Sequence, residues 1–86
     1  MALDVVTIGL AQAYGPTVRV NSIRPGSFAS DVSTHWTAGE KATYSQQVAL
    51  QRIAAPHELV GTALYLASEA SSFTTGATIS VDGGAL

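Results

Sequence analysis

Few residues in this 86-residue sequence could do chemistry on their own. There is no cysteine, which removes a thiol nucleophile, a thiolate metal site and a disulfide framework together. The two histidines, His35 and His57, lie far apart in the sequence with no cysteine to join them, short of the three or four ligands that zinc requires. Ser30, Asp31 and His35 carry the letters of a nucleophilic triad, but within one polar stretch that lacks the strand-turn-helix elbow on which such a serine is presented. His57 falls where a helix is expected to begin, and the dipole there disfavours its cation. What remains is Pro25-Gly26, a turn dipeptide by itself, and the aromatic residues Trp36 and Tyr44, for which burial is the default.

Composition narrows the classes further. At 8.8 kDa the chain is one domain at most, and a chain of this length buries roughly 60% of its surface, enough for a marginal core. With 47% hydrophobic and 12% charged residues it is too apolar for a disordered tail, yet it has no apolar run long enough to span a membrane. The formal charge of −2 leaves no basic field for a phosphate backbone, so no nucleic-acid partner is expected. The Met1 to Gly9 segment has no basic n-region followed by an apolar h-region, which makes the cytoplasm the default location.

The elements that must position any site follow from periodicity. Leu3, Val6, Leu10 and Ala13 or Tyr14 recur at helical spacing and stop at Gly15-Pro16, so a helix is expected over Ala2 to Tyr14. The β-branched run Val18 to Ile23, closed by Pro25-Gly26, reads as a strand and a tight turn. Ser27 to Gln47 is polar and mixed, an excursion with helical stretches around Ala38 to Val48. Pro56 and Glu58 mark the start of a second helix, His57 to Ser68, with a broad stripe of Leu59, Val60, Ala63, Leu64 and Ala67 widened by Tyr65 and Leu66. Ala55 before it is a poor N-cap. After a Ser/Thr-rich turn, Ala77 to Val81 forms a last strand before Asp82-Gly83-Gly84. Two strands joined through a helix make a right-handed parallel β-α-β unit, so the fold class is α/β. A two-stranded parallel sheet is a poor fold alone, because such sheets are normally covered on both faces and continued at both edges.

The string Val18-Arg19-Val20-Asn21-Ser22-Ile23-Arg24-Pro25-Gly26, followed by Arg52, Pro56-His57-Glu58, Leu64-Tyr65-Leu66-Ala67-Ser68, Thr75-Gly76 and Val81-Asp82-Gly83-Gly84, resembles the C-terminal portion of classical short-chain dehydrogenases/reductases over essentially the whole chain. The resemblance implies the C-terminal part of a Rossmann-type fold, a single partial domain over residues 1–86 whose two strands are the last of a larger parallel sheet. The first helix is similar to the one leaving the family's Tyr-x-x-x-Lys helix. By the same resemblance, Pro25, Gly26, Phe28 and Ser30 stand at the family's nicotinamide-contacting loop, at the carboxyl end of a strand where open α/β sheets bind ligands. Phe28 takes a place usually held by Ile or Val, and Ser30 that of a Thr. Trp36 and Tyr44 fall in the segment that corresponds to the family's substrate loop.

The missing motifs set the expected activity. No Gly-rich fingerprint prepares a helix N-terminus for a pyrophosphate. Four places after Tyr14, Tyr44 and Tyr65 come Val18, Val48 and Glu69, so there is no Tyr-x-x-x-Lys proton donor. The parent type implied is an NAD(P)-dependent oxidoreductase, with NAD or NADP as its cofactor. This chain alone is expected to bind neither, to hold no metal and to have no catalytic residue of its own, its Pro25, Gly26, Phe28 and Ser30 being a vestigial cofactor site. The partners expected are a second copy of the chain, in a homo-oligomer that completes the sheet, or a complementary chain carrying the dinucleotide-binding half. The last strand and the helix from Pro56 are similar to the family's subunit-contact elements. A small self-associating module built on the same scaffold is the alternative from another class.

Overall fold

The computed structural model describes residues 2–26 and 36–85. In chain order these form α1 (Ala2–Tyr14), β1 (Ser22–Pro25), α2 (Ala38–Gln46), α3 (His57–Ala67), a 3-10 turn (Glu69–Ser71) and β2 (Thr78–Val81). β1 and β2 pair as a two-stranded sheet. The described residues fall into two compact units, those of 1–24 with 62–79 and those of 25–61 with 80–86.

In the first unit, the strand expected from Val18 begins only at Ser22. The β-branched residues before it are extended but held differently. The Val20 N–H donates to Thr75 Oγ1 at 3.1 Å, and the Asn21 carboxamide donates to the Thr74 carbonyl while accepting from the Ala77 N–H, each at 3.0 Å. Opposite them the chain turns through Gly76, whose φ of 73° no strand residue adopts, so a regular ladder cannot extend that far back. The Gly76 N–H closes the arrangement on the Val20 carbonyl at 2.7 Å, and Ser22 then opens the regular pairing with a bond to the Ala77 carbonyl. Partner numbers rise together along the two strands, which makes them parallel.

α1 turns small residues inward and leaves its large aliphatic residues outward. Thr7 and Ala11, four apart, are its buried residues, whereas Leu3 and Val6 are half-exposed and Val5 is 70% exposed. Small side chains on the inner face let the helix approach Gly76 closely: a Cβ there would stand 3.5 Å from the Ala11 Cβ. Thr7 Oγ1 donates to the Leu3 carbonyl one turn back, so its hydroxyl is satisfied inside the packed face. The large aliphatic residues of α1 therefore point outward. The broad stripe expected to bury α3 is corrected: no residue of that helix is buried, and Val60 and Leu64 are more than half exposed. Among the described residues only Ala11 and Val48 form buried apolar core, much less than the chain length suggested.

The end of α3 is organised by a cation. Arg19 Nη1 donates to the Ser71 carbonyl at 2.9 Å and the Ser71 hydroxyl at 2.7 Å, and Nη2 reaches the Ser68 carbonyl at 3.4 Å. Nη1 also reaches the Leu66 carbonyl in the last turn of α3 at 3.4 Å, so the cation sits at a helix C-terminus, where positive charge is favoured.

The second unit contains α2, which composition left undefined. Its start is set by a capping box: Thr37 Oγ1 accepts from the Glu40 N–H at 3.0 Å, and Glu40 Oε1 accepts from the Thr37 N–H at 3.1 Å. The α3 start has half of the same device. Glu58 Oε1 accepts from the Ala55 N–H at 2.9 Å, and the reciprocal bond is missing because Ala55 has no hydroxyl.

Candidate functional site

The strand ends at Pro25-Gly26, and the tight turn expected beyond it falls outside the described residues. Pro25 is the last residue of β1, and pairing continues one residue further, the Gly26 N–H donating to the Val81 carbonyl at 2.9 Å. Even-numbered residues face β2 in this register, so Pro25, with no N–H to give, costs the β2 ladder nothing. Gly26 is demanded by proximity. A Cβ at that position would lie 2.8 Å from the Asp82 Cα and 3.1 Å from the Tyr44 hydroxyl oxygen.

Asp82 holds its place by an internal turn. Its Oδ1 accepts from the Gly84 N–H at 3.0 Å and the Ala85 N–H at 3.4 Å. Gly83 and Gly84 have φ of 67° and 79°, which is why two glycines follow the aspartate. This brings the chain back against residues 48–50: the Leu50 N–H donates to the Gly83 carbonyl at 2.9 Å, and buried Val48 bridges to Ala85. Tyr44 comes from α2, with its ring edge-on to Trp36 at 5.8 Å between centroids. Gly26, Asp82, Tyr44 and Trp36 thus form one continuous cluster. A small cavity of about 110 Å³ lies between Tyr44, Leu50, Arg52, Val81 and Asp82, and a wider groove of about 550 Å³ runs along α2 beside Trp36 and Tyr44.

This unit also holds an ion pair between Arg52 and Glu58. The Arg52 guanidinium forks onto both Glu58 oxygens, which, with the Ala55 N–H, holds the Glu58 carboxyl at about 2. Arg52 is correspondingly raised by Glu58. In the first unit, Asp4 Oδ2 accepts from Arg24 Nη2 at 2.8 Å and Oδ1 from Thr78 Oγ1 at 3.0 Å. Because the Thr78 proton goes to Asp4, the 2.8 Å contact between Ser22 and Thr78 hydroxyls must be donated by Ser22. Thr78 and then Arg24 lower the Asp4 carboxyl below its ordinary value. Sequence reasoning missed this network, since residues 4, 22, 24 and 78 have no common spacing.

Of the cofactor-loop residues expected from the sequence, Pro25 and Gly26 are at the strand end, while Phe28 and Ser30 lie outside the described residues, as do Asp31 and His35. His57 is the first residue of α3, as expected. Among the described residues, the capping box at the start of α2 takes the Thr37 and Glu40 N–H groups, and Glu58 takes the Ala55 N–H at the start of α3. The described residues hold no cluster of three or more metal-ligating side chains.

Residues 1–85 match the family described as Enoyl-(Acyl carrier protein) reductase. The chain belongs to the short-chain dehydrogenases/reductases. It is 41% identical to the sorbose reductase of Schizosaccharomyces pombe over 75 residues, 87% of this chain and 29% of that protein. A probable NADP-dependent mannitol dehydrogenase of Yarrowia lipolytica is 40% identical over 87% of this chain and 27% of its own length. The 3-oxoacyl-[acyl-carrier protein] reductase of Brucella melitensis superposes with a TM-score of 0.92 at 34% identity, covering 98% of this chain and 32% of that one. The short-chain dehydrogenase/reductase chain thus spans less than a third of these relatives, all of it within their Rossmann-type α/β fold. No described helix is long and apolar enough to cross a membrane.

Proposed function

We propose that this chain is the strand-end and substrate-side portion of an NAD(P)-dependent oxidoreductase and that it has no turnover by itself. The observation that carries the reading is the Gly26 strand end, packed against Asp82 and Tyr44 with no room for a larger residue, in a sequence without a Gly-rich fingerprint or a Tyr-x-x-x-Lys. Pro25 and Gly26 present a backbone edge to the nicotinamide, Phe28 and Ser30 belong by family position to the same loop, and the phosphates and the proton donor are supplied by other residues. The names of the relatives, which include a sorbose reductase and an NADP-dependent mannitol dehydrogenase, support an alcohol–carbonyl interconversion. Purified chain mixed with NADH or NADPH and a panel of ketones should leave the 340 nm absorbance unchanged. Adding a chain that carries a family dinucleotide-binding half with Tyr-x-x-x-Lys should restore turnover. Turnover by the chain alone, or none with the complement bound, overturns the reading.

A second copy of the chain is the other partner that one observation favours. The outward Leu3, Val6 and Leu10 of α1 make an apolar stripe of the kind that marks an interface, and the edge of a parallel strand invites pairing. Self-association across a two-fold axis would cover both. Light scattering at micromolar concentration should give at least a dimer; a cooperative folded monomer refutes it.

A further inference from the structure

The face of the sheet turned to α1 is polar. Ser22 and Arg24, two apart on β1 and so on one side of the strand, meet Thr78 of β2 and Asp4 of α1. The Ser22 hydroxyl donates to Thr78 and the Thr78 hydroxyl to Asp4 Oδ1, while Arg24 Nη2 donates to both Asp4 oxygens at 3.0 and 2.8 Å. A helix laid on a parallel sheet ordinarily covers apolar residues there. Charge in that place departs from the local rule, and such departures are expected at functional sites. Stability does not account for it: the Arg24 and Asp4 side chains are 39% and 32% exposed, and a pair so exposed adds little. Oriented, charge-assisted bonds that tie α1 to both strands fix position instead. The residue they fix is the one before Pro25. Pro25 has no N–H, and among the described residues the next backbone bond along the strand runs from the Gly26 N–H to the Val81 carbonyl. Beyond Arg24 the edge is therefore held by that one ladder bond, and the Arg24 side chain anchors the residue from which it departs.

We infer that Arg24, held by Asp4, is a positioning residue that sets the backbone edge at Pro25-Gly26, and that for a nicotinamide cofactor it acts on binding rather than on turnover. The effect on a cofactor rests on the oxidoreductase reading above; the anchoring of the edge does not. A backbone edge meets the cofactor equally in the ground state and the transition state, so displacing it changes KM and leaves kcat.

In the purified chain, Arg24→Met should speed hydrogen exchange of the Gly26 amide about tenfold. The Gly76 and Leu50 amides, bonded to the Val20 and Gly83 carbonyls, should keep their rates. Arg24→Lys, whose ammonium can replace the Nη2 donor, should stay near the parent rate. Asp4→Ala should also speed Gly26, and the double variant should be no worse than Asp4→Ala alone, because both changes break one interaction. In the chain complemented with a dinucleotide-binding half, Arg24→Met should raise the KM for NADH or NADPH about fivefold with kcat within about twofold. Arg19→Met, assayed well below its melting temperature, should move neither constant. Equal acceleration of all three amides, or none at Gly26, overturns the anchoring. If Gly26 responds and the complemented protein turns over with an unchanged KM, the cofactor role falls. If Gly26 responds and the complemented protein turns nothing over, the oxidoreductase reading fails and the anchoring stands.

Discussion

Arg19 offers the sharpest test of what holds the first unit together. Substituting Arg19→Met keeps most of the apolar stem and removes the guanidinium from the end of α3. Two of its bonds, to the Ser71 carbonyl at 2.9 Å and hydroxyl at 2.7 Å, have full-strength geometry; those to Leu66 and Ser68 at 3.4 Å and Thr74 at 3.5 Å are weak. A hydrogen bond from a charged donor contributes ~1.5–3 kcal/mol. The lower end applies here, because the Ser71 carbonyl keeps the Thr74 N–H at 2.8 Å and the Ser71 hydroxyl keeps the Ser68 carbonyl at 3.0 Å, so neither buried group is left bare. Adding a small helix-dipole contribution and discounting for solvent at the partly exposed guanidinium gives a loss of about 2–3 kcal/mol. For a chain of this size that lowers Tm by roughly 10–20 °C. Arg19→Lys keeps the charge and can offer donors to both Ser71 acceptors, as Nη1 alone does, giving up the weak Nη2 contact with Ser68, so it should lose less than Met. Urea unfolding followed by circular dichroism measures both. A loss below about 0.5 kcal/mol for Arg19→Met, or equal losses for Met and Lys, would refute the argument that the cation holds the end of α3.

Gly26→Ala should destabilise by about 1–3 kcal/mol through overpacking against the Asp82 backbone, and hydrogen exchange at the residue 26 amide should speed up; unchanged exchange counts against the close approach. Gly84→Ala should be worse, since a Cβ 2.6 Å from that of Ala49 adds to the strain of a φ of 79°; thermal melts of the two variants rank them. Thr37→Ala removes half of the capping box and should cost about 1 kcal/mol, seen as faster exchange in the first turn of α2 with α1 unaffected. In acid, the Glu58 contribution is complete above the ordinary carboxylate value of 4.5 and is lost as the pH falls towards about 2. Asp4 acts in the same direction. Glu58→Gln should therefore flatten the stability–pH curve between about 4.5 and 2, and an unchanged acid limb would contradict the Arg52 fork.

The sequence by itself determined the element order, the α1 span, the family and the location of the Pro25-Gly26 strand end, because periodicity and turn residues act over a few positions and the family motifs run the whole chain. It also held an unread signal: Thr37-x-x-Glu40 is a capping box, and it would have placed the start of α2. Only the tertiary structure decided which side of α1 faces inward. Hydrophobicity favours the Leu3–Val6–Leu10 stripe, yet close approach to Gly76 selects the smaller Thr7 and Ala11. Likewise β-propensity extends β1 back to Val18, while the partner's turn at Gly76 stops the ladder at Ser22. The contact of Tyr44 and Asp82 with Gly26 joins residues 18 and 56 positions away, a separation at which no local pattern carries information and only the folded backbone brings the groups within reach.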